Sequence, residues 1–314
     1  MSVVSPSQAA VVGPGAVATD ASSAVSRFAD YTEMCRPRIA VMTMVAVSAG
    51  FVLASPILIN WTLLAIALLG ILQLVAASSI LNQVIEKASD AGMARTANRP
   101  LVQGRISTFE ATTVGLCLGL SGAAILWIFT SPATTLAGVG TLLTYVCAYT
   151  PLKTRSTLCT TIGAIPGAMP PVLGWLAAGG TIGSGAWALF ALLFTWQFPH
   201  FLAIGWIYRK DYEQAGLKML PSFGDGGRRA GMVAIAYALA FIPVSMIPAY
   251  AGLAGHIYFG VALVLSCAYF VATLRFSLRR TTQRGRELLL ISLVILAILL
   301  LVMVGEFLHL TALG

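Results

Sequence analysis

Charge is what this chain has least of. Only 10% of its 314 residues are Asp, Glu, Lys or Arg, where soluble globular domains carry roughly 25%. Together with 58% hydrophobic residues and a mean hydropathy of +0.88, that shortage excludes an ordinary soluble domain and indicates several membrane spans. Cysteine is sparse as well. Cys35, Cys117, Cys147, Cys159 and Cys267 form no C-x-x-C pair and no C-x-x-C-H, so they read as packing residues rather than a thiolate metal site or a covalent haem attachment. No basic residue precedes Arg27, which speaks against a secretory signal or an Arg-rich transit peptide. The Ala-, Ser-, Val- and Gly-rich start is expected to be a disordered tail over 1–29, ahead of one membrane domain over 30–314. No carboxylate falls at a clear bilayer midplane, which counts against a charge-coupled pump.

What is present is long apolar runs. Nine segments are long enough to span: about 38–57, 61–81, 111–130, 134–150, 159–178, 186–207, 230–251, 256–274 and 288–308. The expected fold is an all-α membrane protein, a bundle of nine transmembrane helices. All 19 Lys and Arg lie at or before the start of the first span, or in the loops after spans two, four, six and eight. By the positive-inside rule the N-terminus is cytoplasmic and the C-terminus outside. The net charge of +8 is therefore a one-sided sheet, suited to anionic lipid head groups or an anionic substrate. Its division among five short segments argues against nucleic acid.

The chemistry gathers on that basic face. Asn82, Glu86 and Asp90 follow the second apolar run at spacings of four, so on a helix they share one drifting face roughly 12 Å long. Hard oxygen donors of this kind suit Mg²⁺ together with substrate phosphates, although a solvated acidic helix end has the same pattern. Arg95, Arg99 and Arg105 come next in the chain. Asp211, in Tyr208-Arg209-Lys210-Asp211-Tyr212, occupies a matching place after span six, as a further ligand or as an interfacial charge. Lys153 and Arg155 end span four, placed to pair with phosphate oxygens or to snorkel. His200 lies inside span six and could ligate haem iron, act as a base, or hydrogen-bond a neighbouring helix. Gly163, Pro166, Gly167, Pro170, Pro171 and Gly174 crowd span five, which must therefore bend and be closely approached.

Four ordered segments carry a resemblance. They are Asn82-Gln83-x-x-Glu86-x-x-x-Asp90-x-x-Met93-x-Arg95-Thr96-x-Asn98-Arg99-Pro100-Leu101, Tyr149-Thr150-Pro151-Leu152-Lys153, Trp196-Gln197-Phe198-Pro199-His200-Phe201, and Tyr208-Arg209-Lys210-Asp211-Tyr212-x-x-Ala215-Gly216-x-x-Met219-Leu220-Pro221. In this order they resemble the UbiA superfamily of intramembrane prenyltransferases, and within it the branch that farnesylates protohaem IX. The resemblance implies helices around a lateral cavity in a bacterial inner membrane. It implies Mg²⁺ at Asn82, Glu86, Asp90 and Asp211, and farnesyl diphosphate held by Arg95, Arg99, Lys153, Arg155, Tyr149 and Lys210. The implied reaction joins farnesyl to a haem B vinyl group with addition of water. It gives haem O for a haem-copper oxidase, with membrane lipids around it and a haem A synthase or oxidase assembly factor as a partner; His200 is the residue expected to handle the water. Two departures stand out: Gln83 follows Asn82 where the superfamily usually has an aspartate, and Asp211 lacks a second acid four residues away. Prenylation of an aromatic quinone precursor, or haem binding and transport without catalysis, are the competing readings.

Overall fold

The computed structural model describes residues 20–55, 57–222 and 227–313. No strand occurs among them. The helices are α1 (Asp20–Met34), α2 (Pro37–Leu53), α3 (Trp61–Ala91), α4 (Thr108–Phe129), α5 (Pro132–Leu143), a π-helical turn (Thr144–Tyr149) running into α6 (Thr150–Leu152), α7 (Cys159–Ala177), α8 (Ser184–Ile207), α9 (Arg209–Gln214), α10 (Arg228–Val244), α11 (Ile247–Tyr250), α12 (His256–Arg279) and α13 (Thr282–Leu313). Of the expected tail, residues 1–19 lie outside the described residues, and from Asp20 onward the chain is helical.

Seven helical runs among the described residues are long and apolar enough to cross a membrane. An eighth is added if α1 and α2, bent by 51° at Cys35–Arg36, count as one span. The segment expected as the fifth span is the 19-residue α7, which is not among these candidate spans because its Thr, Gly and Pro content lowers its hydropathy. The described residues thus give seven or eight spans where nine were expected. α7 runs inside the bundle against α2 and α8.

Local chemistry sets the ends. Asn60 caps α3 by accepting from the Leu63 N–H, and Ser131 caps α5 by accepting from the Thr134 N–H, with Pro132 at the first helical position. Ser107 and Glu110 stand at the spacing of a capping box at the head of α4, where Ser107 accepts from the Glu110 N–H at 3.1 Å. Glycine allows the crossings. A Cβ on Gly174 would lie 1.9 Å from the Val47 carbonyl oxygen, and one on Gly50 1.9 Å from that of Pro171. α2 and α7 therefore touch backbone to backbone, as small residues permit in membrane bundles. α3 runs unbroken ten residues past the expected end of its span, to Ala91, so Asn82, Glu86 and Asp90 all ride on one continuous helix.

Candidate functional site

On the last turns of α3 each of the three polar residues faces a cation from a different part of the chain. Asn82, fully buried, accepts from Arg36 Nη2 at 3.0 Å. Glu86 Oε1 lies 2.6 Å from Lys153 Nζ. Asp90, 1% exposed, is ion-paired and hydrogen-bonded to Arg99. The helical repeat supplies the oxygen ladder. The cations come from the α1–α2 bend, the residue after α6 and the loop between α3 and α4.

Each cation is held in place. Arg36 has φ 52° and is the only described non-glycine residue in the left-handed region, a conformation that persists only where its surroundings enforce it. Gln83 braces the same bend by donating from Nε2 to the Met34 carbonyl at 2.8 Å. Lys153 Nζ sits 4.4 Å from the centre of the Tyr149 ring. That ring in turn packs on Gly163, where a Cβ would approach it to 2.6 Å. Burial works against the charge on Lys153, but Tyr149 and Glu86 outweigh it, and its pKa lies above lysine's ordinary range. Burial, and then repulsion from Arg36, lower the proton affinity of Arg99, while Asp90 opposes both. The π-helical turn precedes this cluster, as such turns frequently do at functional sites.

The segment that follows α8 docks beside the ladder. Its Lys218 N–H donates to the Lys153 carbonyl at 2.7 Å. Tyr212 and Leu217 pack on Met93, and Arg95 lies 4.6 Å over the Tyr208 ring. Asp211 is half-buried on α9; its carbonyl accepts from the Ala215 N–H, and its carboxylate makes no hydrogen bond or ion pair among the described residues. Lys210 and Arg155 are exposed. Arg155 lines a cavity of about 230 Å³ together with Glu86, Ser89, Thr150, Thr154 and Leu217.

His200 is held elsewhere, in the seam between α8 and α13. Its Nδ1 lies 2.7 Å from Ser292 Oγ, and its ring stacks on Trp196. The Ser292 hydroxyl donates to the Leu289 carbonyl, so its oxygen accepts Nδ1–H and the imidazole lone pair is left on Nε2.

Among the described residues no three His, Cys, Asp or Glu side chains converge as a ready metal site. The expected ladder ligands are instead matched with cations, because a buried carboxylate needs a counter-charge. Their chemistry still fits a hard divalent ion. Buried Glu86 Oε1 receives charge from Lys153 but no well-directed hydrogen bond, and Asp211 has coordination capacity to spare. Arg36 was legible only as an inside-facing charge; nothing in the spacing ties it to Asn82.

A family model described as the UbiA prenyltransferase family matches residues 43–295. The protein named protoheme IX farnesyltransferase in Koribacter versatilis (strain Ellin345) is 42% identical over 285 residues, covering 87% of this chain and 92% of that one. The protein of the same name in Solibacter usitatus (strain Ellin6076) is 38% identical over 279 residues, covering 86% and 96%. Among solved structures, a digeranylgeranylglyceryl phosphate synthase superposes with a TM-score of 0.76 at 15% identity, over 90% of this chain and 99% of that one. A UbiA homologue from Archaeoglobus fulgidus bound to GPP and Mg²⁺ does so with a TM-score of 0.61 at 19% identity, over 88% and 99%.

Proposed function

This chain belongs to the UbiA prenyltransferase family, and from that premise we propose that it transfers the farnesyl group of farnesyl diphosphate to a vinyl group of protohaem IX with addition of water, giving haem O. The identity to relatives named for that reaction supports the substrate pair. The observation that carries the chemistry is the ladder of three oxygen-bearing side chains against three cations. Two carboxylates against three cations leave net positive charge for an anion.

The ladder would accommodate a magnesium diphosphate by exchange of partners. Asn82, Glu86, Asp90 and Asp211 would hold Mg²⁺, and Arg36, Lys153 and Arg99 would pair with phosphate oxygens, with Arg95, Arg155, Tyr149 and Lys210 around them. The metal supplies Lewis-acid stabilisation of the leaving diphosphate. The cations do the same work by charge, aimed where negative charge grows as the allylic C–O bond breaks. The farnesyl tail lies in a lateral, apolar cavity of a nine-span bundle, which keeps stray water from the allylic cation. His200 takes a proton from the terminating water through Nε2. The N-terminus and the ladder face the cytoplasm at the inner membrane, with a haem A synthase or oxidase-assembly factor as a partner.

The test is purified protein with farnesyl diphosphate, haem B and Mg²⁺, read by mass spectrometry with an EDTA control. A farnesyl-plus-water gain on haem that EDTA abolishes is expected. Asp90→Ala and Asp211→Ala should lose it, His200→Gln should give farnesylated but unhydrated products, and His256→Ala should keep it. Prenylation of an aromatic acid in place of haem would move the chain to the quinone branch. Unchanged turnover by both aspartate variants would remove the metal reading.

A further inference from the structure

The orientation of the Asn82 amide is fixed from both ends, and one of the residues fixing it has no role in the reading above. Asn82 Nδ2 donates to Thr150 Oγ1 at 2.9 Å. The Thr150 hydroxyl is itself spent, since it donates to the Tyr145 carbonyl at 2.8 Å. A backbone carbonyl only accepts, so the hydroxyl proton points at Tyr145 and its oxygen is left to receive an N–H. That acceptor carbonyl is placed by the π-helical turn, whose five-residue closure brings the Thr150 N–H back to the same Tyr145 oxygen. At the other end stands Arg36, which has donors only, 3.0 Å from Asn82 Oδ1. Either partner alone would set the amide. Together they exclude the flipped form, in which Nδ2 would face Arg36 and Oδ1 would have no proton to accept from Thr150. Thr150 is 2% exposed and Asn82 fully buried, so water does not replace either bond.

We propose that Thr150 is a positioning residue, which through the Tyr145–Thr150–Asn82 relay holds Asn82 Oδ1 towards the cation side of the ladder, where it ligates magnesium when the diphosphate enters. The proposal rests on the magnesium-diphosphate reading of the ladder. The relay also assigns a use to the π-helical turn. An α-helical turn would close at four residues, and the Tyr145 carbonyl would be taken by residue 149 instead.

Thr150→Val keeps the shape and removes the hydroxyl, so once Arg36 has turned to phosphate oxygens nothing sets the amide, and Nδ2 as well as Oδ1 can face the metal. Expected is a rise of about tenfold in the Mg²⁺ concentration for half-maximal activity, the effect of losing one hydrogen bond that holds a ligand, with little change in kcat at saturating Mg²⁺. Mn²⁺ binding to the protein with farnesyl diphosphate, followed by electron paramagnetic resonance without haem, should weaken by a similar factor. Thr150→Ser should restore both. An Asn82→Asp background should be blind to Thr150→Val, because a carboxylate presents oxygen on both sides. Thr150→Ala replaces the valine variant if that does not fold. Wild-type Mn²⁺ affinity in Thr150→Val, with loss in Asn82→Ala, would overturn the positioning role and leave the metal site standing. Unchanged Mn²⁺ binding in Asn82→Ala and Glu86→Gln would instead overturn the metal reading beneath it.

Discussion

The Glu86–Lys153 pair shows what a single residue contributes. Both side chains are largely withdrawn from water, at 11% and 13% exposure, and 2.6 Å apart. Removing one partner therefore strands a charge, which is costlier than removing both. Lys153→Met alone is expected to destabilise the protein by about 2–4 kcal/mol, Glu86→Gln with Lys153→Met by less than that, and each to lower prenyl transfer at least 100-fold. Thermal unfolding in detergent of the two singles and the double checks it; additive losses would mean that the pair is not coupled. At this scale much of the site was legible. Glu86, Asp90 and Lys153 stand out because carboxylates and lysines are rare beside apolar runs. Arg36 did not, since its role depends on a left-handed backbone before Pro37 and on a contact 46 residues away. His200 shows the reverse. It was conspicuous as the histidine within a span, yet its ring is tied into the α8–α13 seam, and only the serine relay reveals which nitrogen is left for chemistry.

Among elements, the deciding quantity is how closely two helix backbones approach. α2 and α7 cross where Gly50 and Gly174 lie under each other's neighbouring carbonyls, and α3 and α4 cross where a Cβ on Gly122 would stand 2.7 Å from the Gly70 oxygen. A methyl at such a point cannot be absorbed by a side-chain rotation, so the helices must part. Gly174→Ala is expected to cost about 2–4 kcal/mol, as overpacking against backbone does at its severe end. Gly305→Ala, with nothing within 4 Å of its Cβ, should be neutral or stabilising by about 0.5–1 kcal/mol, because alanine favours the helix. Paired melting curves decide it, and equal shifts would show that crossing distance is not what stabilises the bundle. The apolar runs foretold the helices, since a chain in lipid must satisfy its backbone internally. The extension of α3 to Ala91, the 51° bend before α2 and the π-helical turn were not legible. Each is accompanied by contacts between segments distant in sequence, and periodicity carries no trace of those.

Over the whole molecule, the clustering of the 19 basic residues in a few short segments of the sequence and the cation-matched ladder are parts of one electrostatic arrangement. At α3 the basic residues meet two carboxylates withdrawn from water, Glu86 and Asp90, four residues apart on one helix. The ladder charges are already paired without the diphosphate, so ligand binding trades one set of partners for another. Such an exchange has a thermodynamic signature. Farnesyl diphosphate alone would face Glu86 and Asp90 with its own negative charge, whereas the magnesium complex gives those carboxylates a cation as Lys153 and Arg99 leave them. Farnesyl diphosphate with Mg²⁺ should therefore stabilise the protein, by about 2.7 kcal/mol at one hundred times its dissociation constant, while the same ligand in EDTA, or Mg²⁺ alone, should give little shift. Raising the salt should weaken the gain only modestly, because buried charges are screened less than exposed ones. An equal stabilisation in EDTA would mean that the cations bind the diphosphate unaided and that the ladder's carboxylates serve only to hold those cations in place.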